Sequence, residues 1–189
     1  IDKVFYTHMH ADQTHGINEL RVFYLKKKKQ IPVYCDMVTA KYLKKNFSYC
    51  FKKKYDYPPI LKLNILKKKI TIGKGQNKIN IRAIPVGHGL INSLAYIINN
   101  KIAYISDSNK IYDQDIKYFK NLKFLVIDCL RFEKHPSHFN LEDVLNIVNF
   151  LKPKITILTN LHSDLDYNHL LKILPNKIIP GYDGLNVNI

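Results

Sequence analysis

His8, His10, Asp12 and His15 fall within eight consecutive residues, and imidazoles and carboxylates at that density suit a transition-metal site. A lone histidine is more often structural, but four candidate donors so close together shift the balance to metal. In Thr7-His8-Met9-His10-Ala11-Asp12 the alternating His8 and His10 converge on one ion while Asp12 points to a second. Zinc, manganese or iron takes such nitrogen and oxygen donors. His15, beside Gly16 at a helix start, reads as a supporting residue rather than a ligand.

Positioning that segment requires a strand before it, and Asp2 to Tyr6 supplies one. Helical spacing follows over Gly16 to Leu25, then a strand at Ile31 to Tyr34 and a helix from Met37 to Asn46 capped by Asp36. Phe47 to Pro59, aromatic and basic, reads as an ordered loop. Strands are expected at Ile60 to Leu66, Lys69 to Ile72, Lys78 to Pro85, Ser93 to Ile98 and Lys101 to Ser106, with Asn99-Asn100 as a tight hairpin turn. Ile111 to Phe119 is a helix candidate, and Phe124 to Cys129 a strand. A helix from Leu141 to Leu151, a strand from Ile155 to Thr159, a helix from Asp166 to Leu174 and a strand from Leu185 to Ile189 complete the chain. The pattern is α/β, in layers, with no internal repeat, linker or domain boundary over residues 1–189.

Thr-His-x-His-x-Asp, with three further motifs in order, resembles the metallo-β-lactamase superfamily. The resemblance implies that His88, in Pro85-Val86-Gly87-His88-Gly89, is the lone downstream histidine ligand and that Asp107 is the carboxylate bridging two metals. Leu158-Thr159-Asn160-Leu161-His162 lies where the last histidine ligand arises. Gln13 stands in a histidine's place, and Asn160 aligns with the final histidine, so His162 is expected to reach the ion from two residues further on. The first metal site (His8, His10, His88, Asp107) is therefore expected intact, with Asp12, Asp107 and His162 around a second, and one or two ions, zinc or manganese by preference. The implied fold is an αββα sandwich. Because the chain starts just before the HxHxD segment, it is expected to lack the fold's N-terminal strands and to be a piece of a longer protein.

Leu130-Arg131 with His135-Pro136-Ser137-His138-Phe139, Asp164-Leu165-Asp166-Tyr167 and Tyr182-Asp183-Gly184 are similar to the branch containing a phosphoribosyl cyclic phosphodiesterase. That similarity implies a cyclic or small phosphodiester substrate, with His138 at the phosphate and in catalysis and His135 assisting. Asp12 would hold or deprotonate the attacking water, and His138 would donate a proton to the leaving alkoxide. Asp166 and Tyr167 would orient the C-terminal loop, and Asp128 reads equally as a supporting or an interior carboxylate. Alternatives are a ribonuclease of the transfer-RNA-processing type, a thioester or lactone hydrolase, and a catalytically silent binding protein.

The formal charge of +15 invites a nucleic-acid reading, but only three of the 30 basic residues are arginine (Arg21, Arg82, Arg131). Heavy use of Ile, Asn, Lys and Tyr is the skew an AT-biased genome produces unselected, so nucleic acid is compatible rather than favoured. Cys35, Cys50 and Cys129 are odd in number and widely spaced, which argues against a disulfide framework and for a reducing cytoplasm. No apolar run is long enough to span a bilayer. A homodimer is compatible with everything above.

Overall fold

The computed structural model describes residues 1–188, which form two compact units, Ile1–Lys67 and the described residues from Lys68 onward. The first unit runs β1 (Val4–Phe5), α1 (Ala11–Thr14), α2 (Leu20–Lys27), β2 (Ile31–Cys35), α3 (Met37–Asn46), α4 (Ser48–Phe51) and β3 (Leu61–Ile65). Its three strands are parallel in the order β1-β2-β3, with Val33 opposite both Val4 and Leu63. Strand β2 alternates buried and half-buried side chains, and Ile31, Val33 and Cys35 pack with Ile17, Leu43 and Ile60 in the core. Asp36 caps α3 by accepting the Thr39 amide at 2.7 Å. The helix expected over Gly16 to Leu25 is divided, with a 3-10 turn at His15–Glu19 leading into α2. The expected loop after α3 contains the short helix α4.

The second unit is a seven-stranded sheet, with α5 (Leu141–Leu151) and α6 (Tyr167–Ile173). Its strands are β4 (Lys69–Ile72), β5 (Ile79–His88), β6 (Ile91–Ile98), β7 (Ile102–Ile105), β8 (Phe124–Asp128), β9 (Ile155–Thr159) and β10 (Ile178–Pro180). They lie in the order β10-β9-β8-β7-β6-β5-β4, antiparallel from β4 to β7 and parallel from β7 to β10. Strand β8 is paired on both edges by parallel neighbours, which is why its sequence is a nearly continuous apolar run. Asn99 and Asn100, at φ 53° and 52°, are the central residues of the tight turn between β6 and β7, closed by the Lys101 amide donating to the Ile98 carbonyl at 3.0 Å.

Helix α5 begins with a reciprocal cap. The Asn140 side chain accepts the Asp143 amide at 2.9 Å, while the Asp143 carboxylate accepts the Asn140 amide. Lys152 ends it in the left-handed region, just before Pro153. Leu141, Val144, Val148 and Leu151 bury one face, each worth about 1.5–3 kcal/mol of apolar burial. Two expectations fail. The helix over Ile111 to Phe119 is a 3-10 turn at Asp113–Tyr118. Residues 185–188 are not a strand, and the last strand is instead β10, set beside β9 by pairing of Ile178 with Thr156; Ile189 lies outside the described residues.

Because β6 alone runs against its neighbours between β5 and β7, strands β5, β7, β8 and β9 all end on one edge of this sheet. That edge gathers the second unit's chemically active side chains.

Candidate functional site

In the first unit, β1 runs into Thr7 and His8, both buried, and the chain then turns through His10 into α1. The Thr7 hydroxyl lies 3.1 Å from His8 Nδ1, which turns Nε2 to the other side of the ring. His8 and His10 meet edge to face with centroids 4.5 Å apart. Asp12 follows in the first turn of α1. Gln13 does not act as a spare imidazole. Its amide nitrogen donates to Asp12 Oδ2 at 2.8 Å, and its oxygen accepts from the Thr7 hydroxyl at 3.4 Å. Burial opposes ionisation of Asp12, but the Gln13 amide, a backbone hydrogen bond and the His8 and His10 rings together hold its carboxyl below the usual range. His15 packs edge-on against Phe47 and meets the Tyr42 hydroxyl at 3.3 Å, a supporting role.

In the second unit His88 closes β5, opposite Ile91 across a two-residue turn. The ring is 3% exposed, and its Nδ1 donates to the Ser137 carbonyl at 2.7 Å. That bond fixes the tautomer and leaves Nε2 as the lone-pair donor, the arrangement metal-binding histidines use. Nε2 stands 3.9 Å from Asp107 Oδ2, beyond hydrogen-bond reach. Two ligands about 2.1 Å from one tetrahedral ion sit about 3.4 Å apart, so this buried pair fits a shared cation with little adjustment. Asp107 itself is held in the left-handed region at φ 30°, a strained conformation of the kind concentrated at functional sites.

The loop after Asp107 ties the edge together. Ser108 donates its amide to Asp128 Oδ2 at 2.8 Å and its hydroxyl to the Gly87 carbonyl at 3.1 Å. The Asn109 side chain accepts the Gly89 amide at 3.2 Å and donates to the Pro136 carbonyl at 2.7 Å. Gly89 has φ 59°, and a Cβ there would stand 3.0 Å from that of Ser137. The turn after His88 is thus packed directly onto the loop carrying His135 and His138.

His138 is 13% exposed, and its Nδ1 donates to Asp128 Oδ2 at 2.7 Å. Asp128, fully buried at the end of β8, also accepts from Asn160 Nδ2 at 3.0 Å. Three donors therefore hold one carboxylate, and the carboxylate turns His138 Nε2 outward. The His138 ring lies edge-on to His88 at 4.8 Å and 5.0 Å from His135. Burial lowers the His135 pKa, with repulsion from His138 and Arg131 adding to it.

Asn160, just after β9 at φ 63°, supports Asp128. The His162 side chain is 59% exposed, and its Nδ1 donates to Asp164 Oδ1 at 2.9 Å. Asp166 caps α6 through the His169 amide, Tyr167 meets Tyr182 edge-on at 5.9 Å, and His169 meets Phe132 edge-on at 6.0 Å. Sequence reasoning left Asp128 undecided and missed Ser108, Asn109 and the bracing by Gln13. The available signal was a carboxylate ending an otherwise apolar strand beside the active edge.

A family model described as the beta-lactamase superfamily domain matches residues 1–160. The crystal structure of a diphosphatase from the PhnP family superposes with a TM-score of 0.86 at 28% identity, covering 98% of this chain and 69% of that one. Human tRNase Z, short form, superposes with a TM-score of 0.70 at 13% identity, covering 100% of this chain and 79% of that one, a likeness of fold. A Porphyromonas gingivalis protein named octanoyltransferase is 29% identical over the whole chain, which spans 38% of its length.

Proposed function

The chain belongs to the beta-lactamase superfamily, with the metallo-β-lactamase fold of a hydrolase family, and from that premise we propose that it is a metal-dependent phosphodiesterase acting on a small or cyclic phosphodiester. The observation that carries the reading is the Asp128–His138 pair, a buried carboxylate that presents one imidazole nitrogen beside His88. Likeness to a diphosphatase supports phosphorus rather than carbon as the centre attacked.

In this proposal His8, His10, Asp12, His88 and Asp107 are the metal ligands, assigned from their motif order. His162, its Nδ1 paired with Asp164, is the further ligand of the second ion through Nε2. A divalent cation, zinc or manganese, supplies when bound an acidified water and a Lewis acid for phosphoryl oxygens. Asp12 takes the proton of the attacking water, its carboxylate aimed by Gln13. His138 Nε2 binds a phosphoryl oxygen and gives its proton to the leaving alkoxide, while Asp128 stabilises the imidazolium before transfer. His135, 5.0 Å away, adds a second contact to the phosphate.

A thioester hydrolase is the second reading, favoured by the relative named octanoyltransferase. Both are tested by metal analysis of the purified protein with parallel assays on bis-(p-nitrophenyl) phosphate, a cyclic phosphodiester and an acyl thioester. Stoichiometric metal with phosphodiester turnover supports the proposal; thioester turnover alone replaces it; metal-free, inactive protein refutes both. A cytoplasmic location belongs to the same proposal, from the three buried free thiols. Among the described residues no helix is long and apolar enough to cross a membrane.

A further inference from the structure

Between α4 and β3 the first unit carries Lys52-Lys53-Lys54-Tyr55-Asp56-Tyr57-Pro58-Pro59. Lys54 and Tyr57 exchange backbone hydrogen bonds of 3.2 and 3.0 Å, and the turn they close forces Tyr55 to φ 53°. An aromatic residue in the left-handed region is a strained choice. Nothing in the core repays it, because Tyr55 is 83% exposed and Tyr57 64%. Each ring has its own cation, with Lys54 Nζ 5.7 Å from the Tyr55 centroid and Arg21 Cζ 5.6 Å from that of Tyr57. With Tyr49 these four residues line a cleft of about 320 Å³.

We propose that Arg21, Lys54, Tyr55 and Tyr57 form a binding surface for single-stranded nucleic acid. Flat exposed rings beside cations match a ligand that offers unstacked bases and phosphates together. A duplex keeps its bases stacked, and an acidic peptide answers the charges but makes no use of two flat faces. Lys52 and Lys53, both exposed, extend the positive potential along the backbone of such a strand. The surface lies wholly in the first unit, and the proposal does not depend on the phosphodiesterase reading.

The test is fluorescence anisotropy of the full chain with a labelled unstructured RNA 12-mer, in chelator to prevent cleavage, across a salt series. A blunt duplex and polyglutamate serve as competitors. Binding of the single strand is expected to weaken at least tenfold in the double variant Tyr55→Ala/Tyr57→Ala, with the salt slope preserved. Lys53→Gln/Lys54→Gln is expected to reduce the slope itself. Circular dichroism and thermal melting verify that each variant is folded. Absent binding, unchanged binding by the tyrosine variant, or an equal loss in Lys67→Gln/Lys68→Gln/Lys69→Gln would overturn the proposal, as would polyglutamate competing as well as RNA.

Discussion

Replacing Asp128 by asparagine keeps the volume of a fully buried side chain and changes one acceptor into a donor. Three donors converge there: the Ser108 amide, His138 Nδ1–H and Asn160 Nδ2. If the new oxygen stays on Ser108 and His138, the new NH2 faces the Asn160 amide, which relieves the conflict by flipping. His138 then keeps its tautomer but loses its charge-assisted partner, at about 1.5–3 kcal/mol. If the NH2 faces His138 instead, the ring must move its proton to Nε2, the atom meant to work as donor and acceptor at the substrate, and the Ser108 amide is left facing a donor. The first outcome lowers kcat by about 10–10², matching that loss, and the second by about 10²–10³, or about 2.7–4 kcal/mol of barrier, both in keeping with general acid catalysis. Asp128 reaches substrate only through His138, so the informative assay is a double-mutant cycle on phosphodiester turnover with metal content measured alongside. Asp128→Asn is expected to cost almost nothing more once His138→Ala is in place. Full additivity of the two effects, or loss of metal in Asp128→Asn, would show that the carboxylate serves something other than His138.

Gly89→Ala combines an unfavourable positive φ with a Cβ pressed against Ser137, and is expected to cost about 1 kcal/mol or more, read as a lower denaturation midpoint. Asn140→Ala removes the reciprocal cap of α5 and should cost about 1 kcal/mol in urea unfolding without altering the midpoint's cooperativity. Chelation is expected to lower the melting temperature as well as abolish hydrolysis, with zinc or manganese restoring both, because a ligand bound only by the folded state stabilises it. Cys129 is fully buried and its thiol pKa is pushed by burial to about 12, so it should resist thiol reagents in native protein and react on unfolding.

Elements with strong local signals were legible. Asp36 and Asn140 announce their helices because a capping side chain acts within three residues. Asn99-Asn100 marks its turn because few residues tolerate two successive positive φ angles. Strand β10 was not legible: three residues between Pro175-Asn176-Lys177 and Gly181 carry little periodicity, and only pairing with β9 makes them a strand. Ile111 to Phe119 had helical spacing, yet the chain tightened to a 3-10 turn before β8. At the candidate site the histidines stood out by type and density. Their supports did not, because the Asp128–Asn160 and Asn109–Pro136 bonds join residues 32 and 27 positions apart. Gln13 read as a lost ligand, whereas its short bond to Asp12 is a local contact that a single sequence cannot distinguish from loss of function.

Asn109 has one further consequence, for how this edge of the sheet opens. Its side chain spans Gly89 and Pro136, while its backbone amide bonds Gly87, whose own amide bonds Lys110. Phe139 in turn donates to Ser108, and Leu130 to Phe139. No strand end here can fray without breaking bonds that belong to the others. The protective bonds of Gly87, Ser108, Asn109 and Phe139 therefore share one opening event, and breathing motions that would misalign His88 or His138 singly are replaced by a rarer, collective one. Precision at the site is purchased by cooperativity of the loops rather than by rigidity of any one of them.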